Sequence, residues 1–195
     1  TCRDCEASAS SVTFTCCGKL PNDHFSQGDP AWSTHTYANS SDTIQERGCA
    51  LTSLSMLNNY YETSISTEIP RTNPGLLNAY LQNNNGYDVN NSVVWSRIRE
   101  FSRGHIRWNV SRDISNITTQ DDLRRAADTE IVNRRPVIFR VRHRTSSGDS
   151  THFVLGIGKC GNRYLISDPG DRDRALFNPD DQNFYLQGIR LFQSR

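Results

Sequence analysis

A glycine and a cysteine, Gly48-Cys49, stand directly before a run in which leucines recur at positions 51, 54 and 57. This spacing predicts a helix from about residue 49 to 61 with one buried face. Cys49 would lie on its first turn, where unpaired N–H groups and the helix dipole lower the pKa of a thiol. The same N–H groups stabilise an oxyanion, and Gln45, four residues upstream, could add a side-chain donor. A small buried hydrophobic residue would also fit this pattern, so Cys49 alone could be reactive or structural.

The composition limits the class of protein and its partners. A length of 195 residues suits one domain with a real core. The net charge of +1 gives no support for a nucleic-acid partner or an anionic membrane surface. No apolar run approaches the roughly 20 residues that span a bilayer. The sequence begins at Thr1 without a signal-peptide pattern or an initiator methionine, so we expect a processed product or a domain excised from a longer chain.

Four of the six cysteines crowd the N-terminus, at Cys2, Cys5, Cys16 and Cys17. Their pattern of C-x-x-C followed by an adjacent pair suits one tetrahedral metal poorly, so we favour two disulfides over a zinc site. Disulfides indicate an oxidising compartment, which predicts a secreted or extracytoplasmic location. Cys160 lies in the predicted turn 159–162. It could be a free surface thiol or could pair with the N-terminal arm.

Glycosylation sequons agree with secretion but carry little weight. Four Asn-x-Ser/Thr sequons are present, at Asn39, Asn90, Asn109 and Asn116. The chain is so rich in Asn, Ser and Thr that chance explains most of them.

The periodicity changes from helical to strand-like at Pro136. Residues 1–28 form a Cys-rich extension without periodicity, and Asp29-Pro-Ala-Trp32 begins a main domain that we place at 29–195. Before Pro136 the pattern predicts helices at 49–61, 75–82, 93–102 and 119–133. It also predicts one short strand, at 105–110. After Pro136 it predicts strands, at 137–141, 153–157, 164–166 and 184–192. This order indicates an α+β domain with an antiparallel sheet.

An activated cysteine needs a base, and among the five histidines His152 has the most suitable position. It opens a predicted strand directly after the polar loop 146–150, where it can face a groove. His24 and His35 lie in polar segments, and His105 follows a helix-stopping glycine. His143 lies between two arginines. A hydrogen-bonded structural histidine is the alternative for His152.

Asp168 ends the next predicted strand, sixteen residues after His152. If the two strands pair as a hairpin around residues 159–162, the start of one lies beside the end of the other. The carboxylate of Asp168 would then hold the imidazole of His152 and stabilise the imidazolium. As an alternative, Asp168 serves only the turn before Pro169.

The order of these motifs resembles the peptidase-like branch of the bacteriocin-processing (double-glycine) cysteine peptidases, within the papain-like superfamily. The resemblance covers about residues 29–180 and lies in these segments: Asp29-Pro-Ala-Trp32, Thr43-Ile44, Gly48-Cys-Ala-Leu-Thr-Ser-Leu-Ser-Met56, Thr72-Asn-Pro-Gly-Leu-Leu-Asn78, Asn85-Gly-Tyr87, His152-Phe-Val-Leu-Gly156 and Tyr164-Leu-Ile-Ser-Asp-Pro169. It implies a papain-like fold, with a nucleophile helix on an antiparallel sheet. It also implies Cys49 as nucleophile, His152 as base, Asp168 as orienting group and Gln45 as oxyanion donor. Nothing resembles the transporter domains of the bacteriocin exporters, so double-glycine specificity does not follow.

The first functional hypothesis is a cysteine peptidase or related thiol hydrolase that acts on an amide bond of a peptide or protein. The chemistry requires no metal or organic cofactor, and we expect a monomer. The second hypothesis is a secreted deamidase or acyltransferase with the same triad, since papain-like triads also perform those reactions. The third is a non-catalytic binding module that has kept the shell of the fold.

Overall fold

A computed structural model describes residues 16–109, 119–145 and 148–194, with residues 16, 17 and 145 described by their backbone. The predictions for Cys2, Cys5 and Asn116, and for loop residues 146 and 147, lie outside this part of the chain. The helices are α1 (Ile44–Arg47), α2 (Cys49–Ser64), α3 (Pro74–Asn83), a 3-10 turn (Trp95–Arg97) that continues into α4 (Ile98–Phe101), and α5 (Gln120–Val132). The strands are β1 (Cys16–Cys17), β2 (Ile106–Trp108), β3 (Val137–Thr145), β4 (Gly148–Cys160), β5 (Arg163–Ser167), β6 (Leu176–Phe177), β7 (Phe184–Arg190) and β8 (Phe192–Ser194).

An antiparallel sheet in the order β6–β5–β4–β3–β7 forms the centre of the domain. β1 adds to the far end of β4, and β2 pairs separately with β8. The helices precede the main strands, as the change of period at Pro136 predicts. The α+β class and the packing of the nucleophile helix on an antiparallel sheet are therefore confirmed, and both are consistent with a papain-like peptidase fold.

Helices cover both faces of the sheet because the side chains of each strand alternate. Ile138 and Leu155 pack with α2 and α3 in one buried cluster. Val137 and Phe139, their neighbours in the pleat, pack with Leu123 and other residues of α5 in a second cluster. The sheet therefore separates two hydrophobic cores, and α2 occupies the core that holds most of the first hundred residues.

Helix α2 is buried on every side, whereas its leucine spacing predicts one buried face. All residues from 50 to 60 and Tyr61 are buried, including several polar side chains. Several of these polar groups have partners. The amide of Asn59 donates to the Thr72 carbonyl and to Asp23 Oδ2, at 2.8 Å each, and Ser53 Oγ donates to the Phe153 carbonyl at 3.3 Å. The helix lies between β4 and the preceding chain, so no face remains for solvent.

Several predicted elements differ in length or orientation from those observed. The helix predicted at 75–82 is α3, which Asn73 caps with a side chain that accepts from the Leu76 N–H at 2.9 Å; the Leu76 side chain is exposed. The helix predicted over 93–102 is a short 3-10 and α segment. The strand that carries His152 is longer than predicted and ends at Cys160, which is buried. The hairpin turn is Gly161-Asn162, with Gly161 at a φ of 55° that suits glycine.

Residues 19–28 of the assigned N-terminal extension pack against the main domain. Leu20 is fully buried and its N–H donates to the Ile157 carbonyl at 2.7 Å. The Phe25 ring contacts Trp32 edge-on at 5.6 Å, and the Gln27 N–H donates to the Pro169 carbonyl at 2.9 Å. This segment therefore crosses the sheet and reaches the loop that follows Asp168. None of the described helices is both long and apolar enough to cross a bilayer.

Candidate active site

The position of Cys49 is fixed by a tight junction between two helices. Gly48 closes α1 by donating its N–H to the Ile44 carbonyl at 2.7 Å, and its own carbonyl accepts from Thr52 at 2.8 Å. A Cβ atom at residue 48 would lie 2.4 Å from the Ile44 carbonyl oxygen and 2.6 Å from its Cγ2. Only glycine allows this approach, so the sequence Gly48-Cys49 sets the thiol on the first turn of α2. Cys49 is the free cysteine of the described residues.

The hairpin of β4 and β5 brings His152 and Asp168 together. The ladder pairs Cys160 with Arg163 and Leu155 with Ser167, with an irregularity between Gly156 and Gly158. Asp168 follows the last paired residue, and His152 Nε2 donates to its Oδ1 at 2.6 Å. The structure thus places these two side chains in contact, as hairpin geometry predicts.

The carboxylate of Asp168 is fully buried and accepts hydrogen bonds from three sides. Oδ1 accepts from His152 and from the Gly170 N–H at 2.8 Å, and Oδ2 accepts from Arg174 Nη1 at 2.8 Å. Burial raises the pKa of Asp168, but the hydrogen bond and charge of His152, with Gly170 and Arg174, lower it below its ordinary value. Asp168 is therefore an anion that serves both the turn and the histidine.

Cys49 and His152 line the same cavity, and the imidazole acts on the thiol there. Because Asp168 occupies Nε2, the ring nitrogen that remains for the thiol is Nδ1. Burial opposes charge on both partners, but the hydrogen bond and charge of His152 lower the pKa of Cys49. Hydrogen bonds to Asp168 and Cys49, and their negative charges, overcome burial and raise the pKa of His152 to about 10. These opposite shifts favour a thiolate beside an imidazolium.

The thiol lies between two open cavities that share Cys49 and Glu46. One, of about 380 Å³, is lined by Cys49, His152 and Asp168, and also by Gln27 and His143. We call it the triad cavity after the first three residues. The other, of about 440 Å³, is lined by Tyr37, Trp95, Phe153, Arg140 and their neighbours. A chain laid across the thiol would therefore find room on both sides of it.

The glutamine that lines the triad cavity is Gln27, not Gln45. The Gln45 side chain is exposed on α1 and belongs to neither cavity's lining. Gln27 is half-buried, and its Nε2 donates to the backbone carbonyl of Gln45 at 2.6 Å. That bond uses one of the two amide hydrogens and leaves the second for another acceptor.

Gln27, Gly170 and Arg174 are site residues that the sequence reasoning did not select. Gln27 stands two residues before Asp29-Pro-Ala-Trp32, and this proximity was the available signal. Gly170 is followed by Arg172 and Arg174, and only the folded loop distinguishes the arginine that contacts Asp168. A Cβ at Gly170 would lie 3.2 Å from His152 Cε1, so the small residue leaves space for the ring.

The remaining histidines have other contacts. His24 Nε2 is 3.1 Å from the backbone oxygen of Asp168, and His105 Nε2 is 3.2 Å from Glu68 Oε2. His143 lines the triad cavity, and its ring lies 5.5 Å from that of Phe184. Within the described ranges, no group of His, Cys, Asp and Glu side chains could hold a metal ion.

The opposite pKa shifts predict an unusual pH profile for the reactivity of Cys49. The thiolate forms as pH rises through the lowered pKa of Cys49, and the imidazolium persists until pH reaches the raised pKa of His152. Cys49 should therefore react with iodoacetamide near pH 6 faster than glutathione does, since each unit by which a pKa falls raises the thiolate fraction about tenfold. Peptide mapping of alkylated Cys49 over a pH series measures this rate.

His152→Ala is the comparison variant for this profile. Without the imidazolium, the midpoint should move up to about 8.5 or higher, because burial of the thiol remains. A wild-type midpoint that already lies there, unchanged in His152→Ala, would contradict the ion pair.

Comparison with known proteins agrees with this geometry. The model of the Peptidase_C39 like family matches residues 25–186, a segment that includes Cys49, His152 and Asp168. No curated protein and no solved structure matches significantly. Because the family match covers most of the chain and a peptidase-related α+β fold accompanies it, the chain belongs to the Peptidase_C39 like family.

Proposed function

We propose that this protein is a cysteine peptidase that cleaves an amide bond of a peptide or protein. The observation that carries the proposal is one cavity lined by Cys49, His152 and Asp168, in which His152 bonds to the buried carboxylate of Asp168. Family membership supports a cysteine peptidase-related function, and the contacts name the residues that would perform it.

In the proposed reaction, the Cys49 sulfur attacks the carbonyl carbon and the carbonyl oxygen becomes an oxyanion. The tetrahedral intermediate collapses when His152 donates its proton to the leaving amine, which leaves a thioester on Cys49. His152 then accepts a proton from water, the hydroxide attacks the thioester, and the acid product leaves as the thiolate returns. Asp168 keeps its charge throughout and holds Nε2 of the ring.

We assign the oxyanion donors to the backbone N–H of Cys49 and the side-chain amide of Gln27. The first N–H groups of a helix have no partner within the helix and project from its N-terminal end, where Cys49 lies. Gln27 lines the same cavity as the thiol and the histidine, and the Gln45 carbonyl orients its amide. In this assignment Gln45 contributes through its backbone rather than its side chain.

Peptide cleavage fits the cleft better than deamidation of a side chain. The cavities on either side of Cys49 provide space for residues both before and after the attacked bond. A deamidase needs room for one glutamine or asparagine side chain, with its backbone outside. The open cleft therefore favours an extended chain as substrate.

We also propose that Cys160 forms a disulfide with a cysteine of the N-terminal segment, in an oxidising compartment outside the cytoplasm. Cys16 lies opposite Cys160 in the ladder, and opposite antiparallel residues have Cα atoms about 4.5–5.5 Å apart, within reach of a disulfide. Such a bond would replace one of the two disulfides expected within residues 2–17. Peptide mapping without reduction should yield a linked peptide that contains Cys160; free, alkylatable Cys160 would contradict the pairing.

Incubation with a peptide library should show cleavage by the wild-type chain and none by Cys49→Ala. Mass spectrometry of the products distinguishes two fragments that have gained water from an intact peptide that has lost ammonia to deamidation. Ser55→Ala is a matched control, because Ser55 lies on the same helix and its hydroxyl donates to the carbonyl of Leu51, one turn earlier. Equal cleavage by Cys49→Ala and wild type would refute the assignment, and no reaction by either would favour a binding module.

The two glutamines provide a paired test of the oxyanion assignment. Gln27→Ala should lower kcat about a hundredfold to a thousandfold with little change in KM, because the lost hydrogen bond forms in the transition state. Gln45→Ala should retain kcat within about twofold, since its backbone carbonyl is kept. Steady-state kinetics on one cleaved peptide measures both. The reverse pattern would return the role to Gln45.

A further inference from the structure

The cavity on the Tyr37 and Trp95 side of Cys49 is lined by Arg140, for which the described part of the chain supplies no ion-pair partner. Arg140 lies on β3, two residues after Ile138, on the sheet face that carries the α2 core. It is directly opposite Phe153 in the ladder with β4 and opposite Gly188 in the ladder with β7. Arg140 lines this cavity together with Trp95 and Phe153.

The other charged groups of this cavity have partners of their own. Arg47 Nη1 donates to Asp42 Oδ2 at 3.0 Å. Outside the cavity lining, Arg142, two residues after Arg140 on β3, donates to Asp149 Oδ2 at 3.2 Å. The Glu46 carboxylate accepts from the Thr43 N–H and hydroxyl, at 2.7 and 2.8 Å. These contacts hold Glu46 at the start of α1 and give its charge a local partner.

Arg140 forms no ion pair with any described residue, although it is half-buried. Burial first, and then the positive charges of Arg190 and Arg142, lower the pKa of Arg140 from the ordinary value. The Arg190 guanidinium lies 5.8 Å from the Trp95 ring centroid at the same cavity. A half-buried cation among cations is costly, and a carboxylate that entered the cavity would relieve that cost.

We propose that this cavity is an acidic-substrate subsite in which Arg140 binds a carboxylate of the peptide that Cys49 attacks. The inference rests on the proposed peptidase function and adds its substrate class. Arginine matches a carboxylate with two parallel N–H donors, which fixes orientation as well as charge. The aromatic walls, Tyr37, Trp95 and Phe153, would hold the methylene stem of the same residue. The carboxylate belongs either to an Asp or Glu side chain or to a free C-terminus.

Cleavage of matched peptides tests this assignment. One series varies a single position through Glu, Gln and Lys across the residues flanking the bond, and another compares free with amidated C-termini. Wild type should prefer the carboxylate-bearing member by about tenfold to a hundredfold in kcat/KM, the range that one hydrogen bond to a charged group provides. The series that shows the preference identifies the source of the carboxylate.

Three variants separate the role of Arg140 from a general change of charge. Arg140→Gln should abolish the preference, and Arg140→Glu should reverse it toward Lys. Arg99→Glu makes the same charge change as Arg140→Glu, at a side chain that is exposed on α4 and lies outside the cavity lining. It should leave the preference for a carboxylate intact. Circular dichroism establishes that each variant is folded.

The outcomes separate this inference from the peptidase proposal. Cleavage without acidic preference, or a preference that Arg140→Gln retains, would overturn the subsite and leave the peptidase intact. If no peptide is cleaved, fluorescence anisotropy of labelled Glu and Gln peptides with Cys49→Ala still tests it. Tighter binding of the Glu peptide, lost in Cys49→Ala with Arg140→Gln, supports the subsite, whereas equal binding overturns it.

Discussion

The charged hydrogen bond between His152 and the buried carboxylate of Asp168 is the interaction on which the site depends. A buried carboxylate without partners would be neutral at physiological pH, because desolvation disfavours its charge. Here Gly170 and Arg174 supply two further donors, so the carboxylate remains an anion. That anion raises the proton affinity of His152, and the protonated ring in turn stabilises a thiolate at Cys49. The charges of Asp168 and His152 stabilise each other, and those of His152 and Cys49 do the same.

The fold holds this row of charges rigid from two directions. Residues 50 to 61 of helix α2 are buried, and Gly48 fixes where its first turn begins, so packing sets the position of Cys49 relative to the sheet. The β4–β5 hairpin carries the other two groups on hydrogen-bonded strands. Residues 19–28 cross the end of this hairpin and bring Gln27 beside the thiol. The cleft therefore forms where three separate parts of the chain meet.

Local signals in the sequence predict the longer helices, the central strands and the proximity of His152 to Asp168. Cys49 follows a glycine at a helix start, and hairpin geometry relates His152 to Asp168, so short-range rules apply to each. Gln27 and Arg174 depend on how loops lie across the sheet, for which no periodicity exists. Burial of the polar residues of α2 was equally hidden, because their partners, such as Asp23, come from distant segments. The distance of Gln45 from Cys49 along the chain suggests an oxyanion donor, but the Gln45 side chain lies on the exposed face of α1.

Titration of the His152 imidazole by NMR, in wild type and in Cys49→Ala, tests the central ion pair most directly. The wild-type His152 ring should keep both N–H protons at pH values well above the ordinary histidine pKa of about 6.5. In Cys49→Ala the pKa should fall, because the thiolate charge and its hydrogen bond are lost while Asp168 remains. A ring that titrates near its ordinary value in both proteins would contradict the thiolate–imidazolium pair.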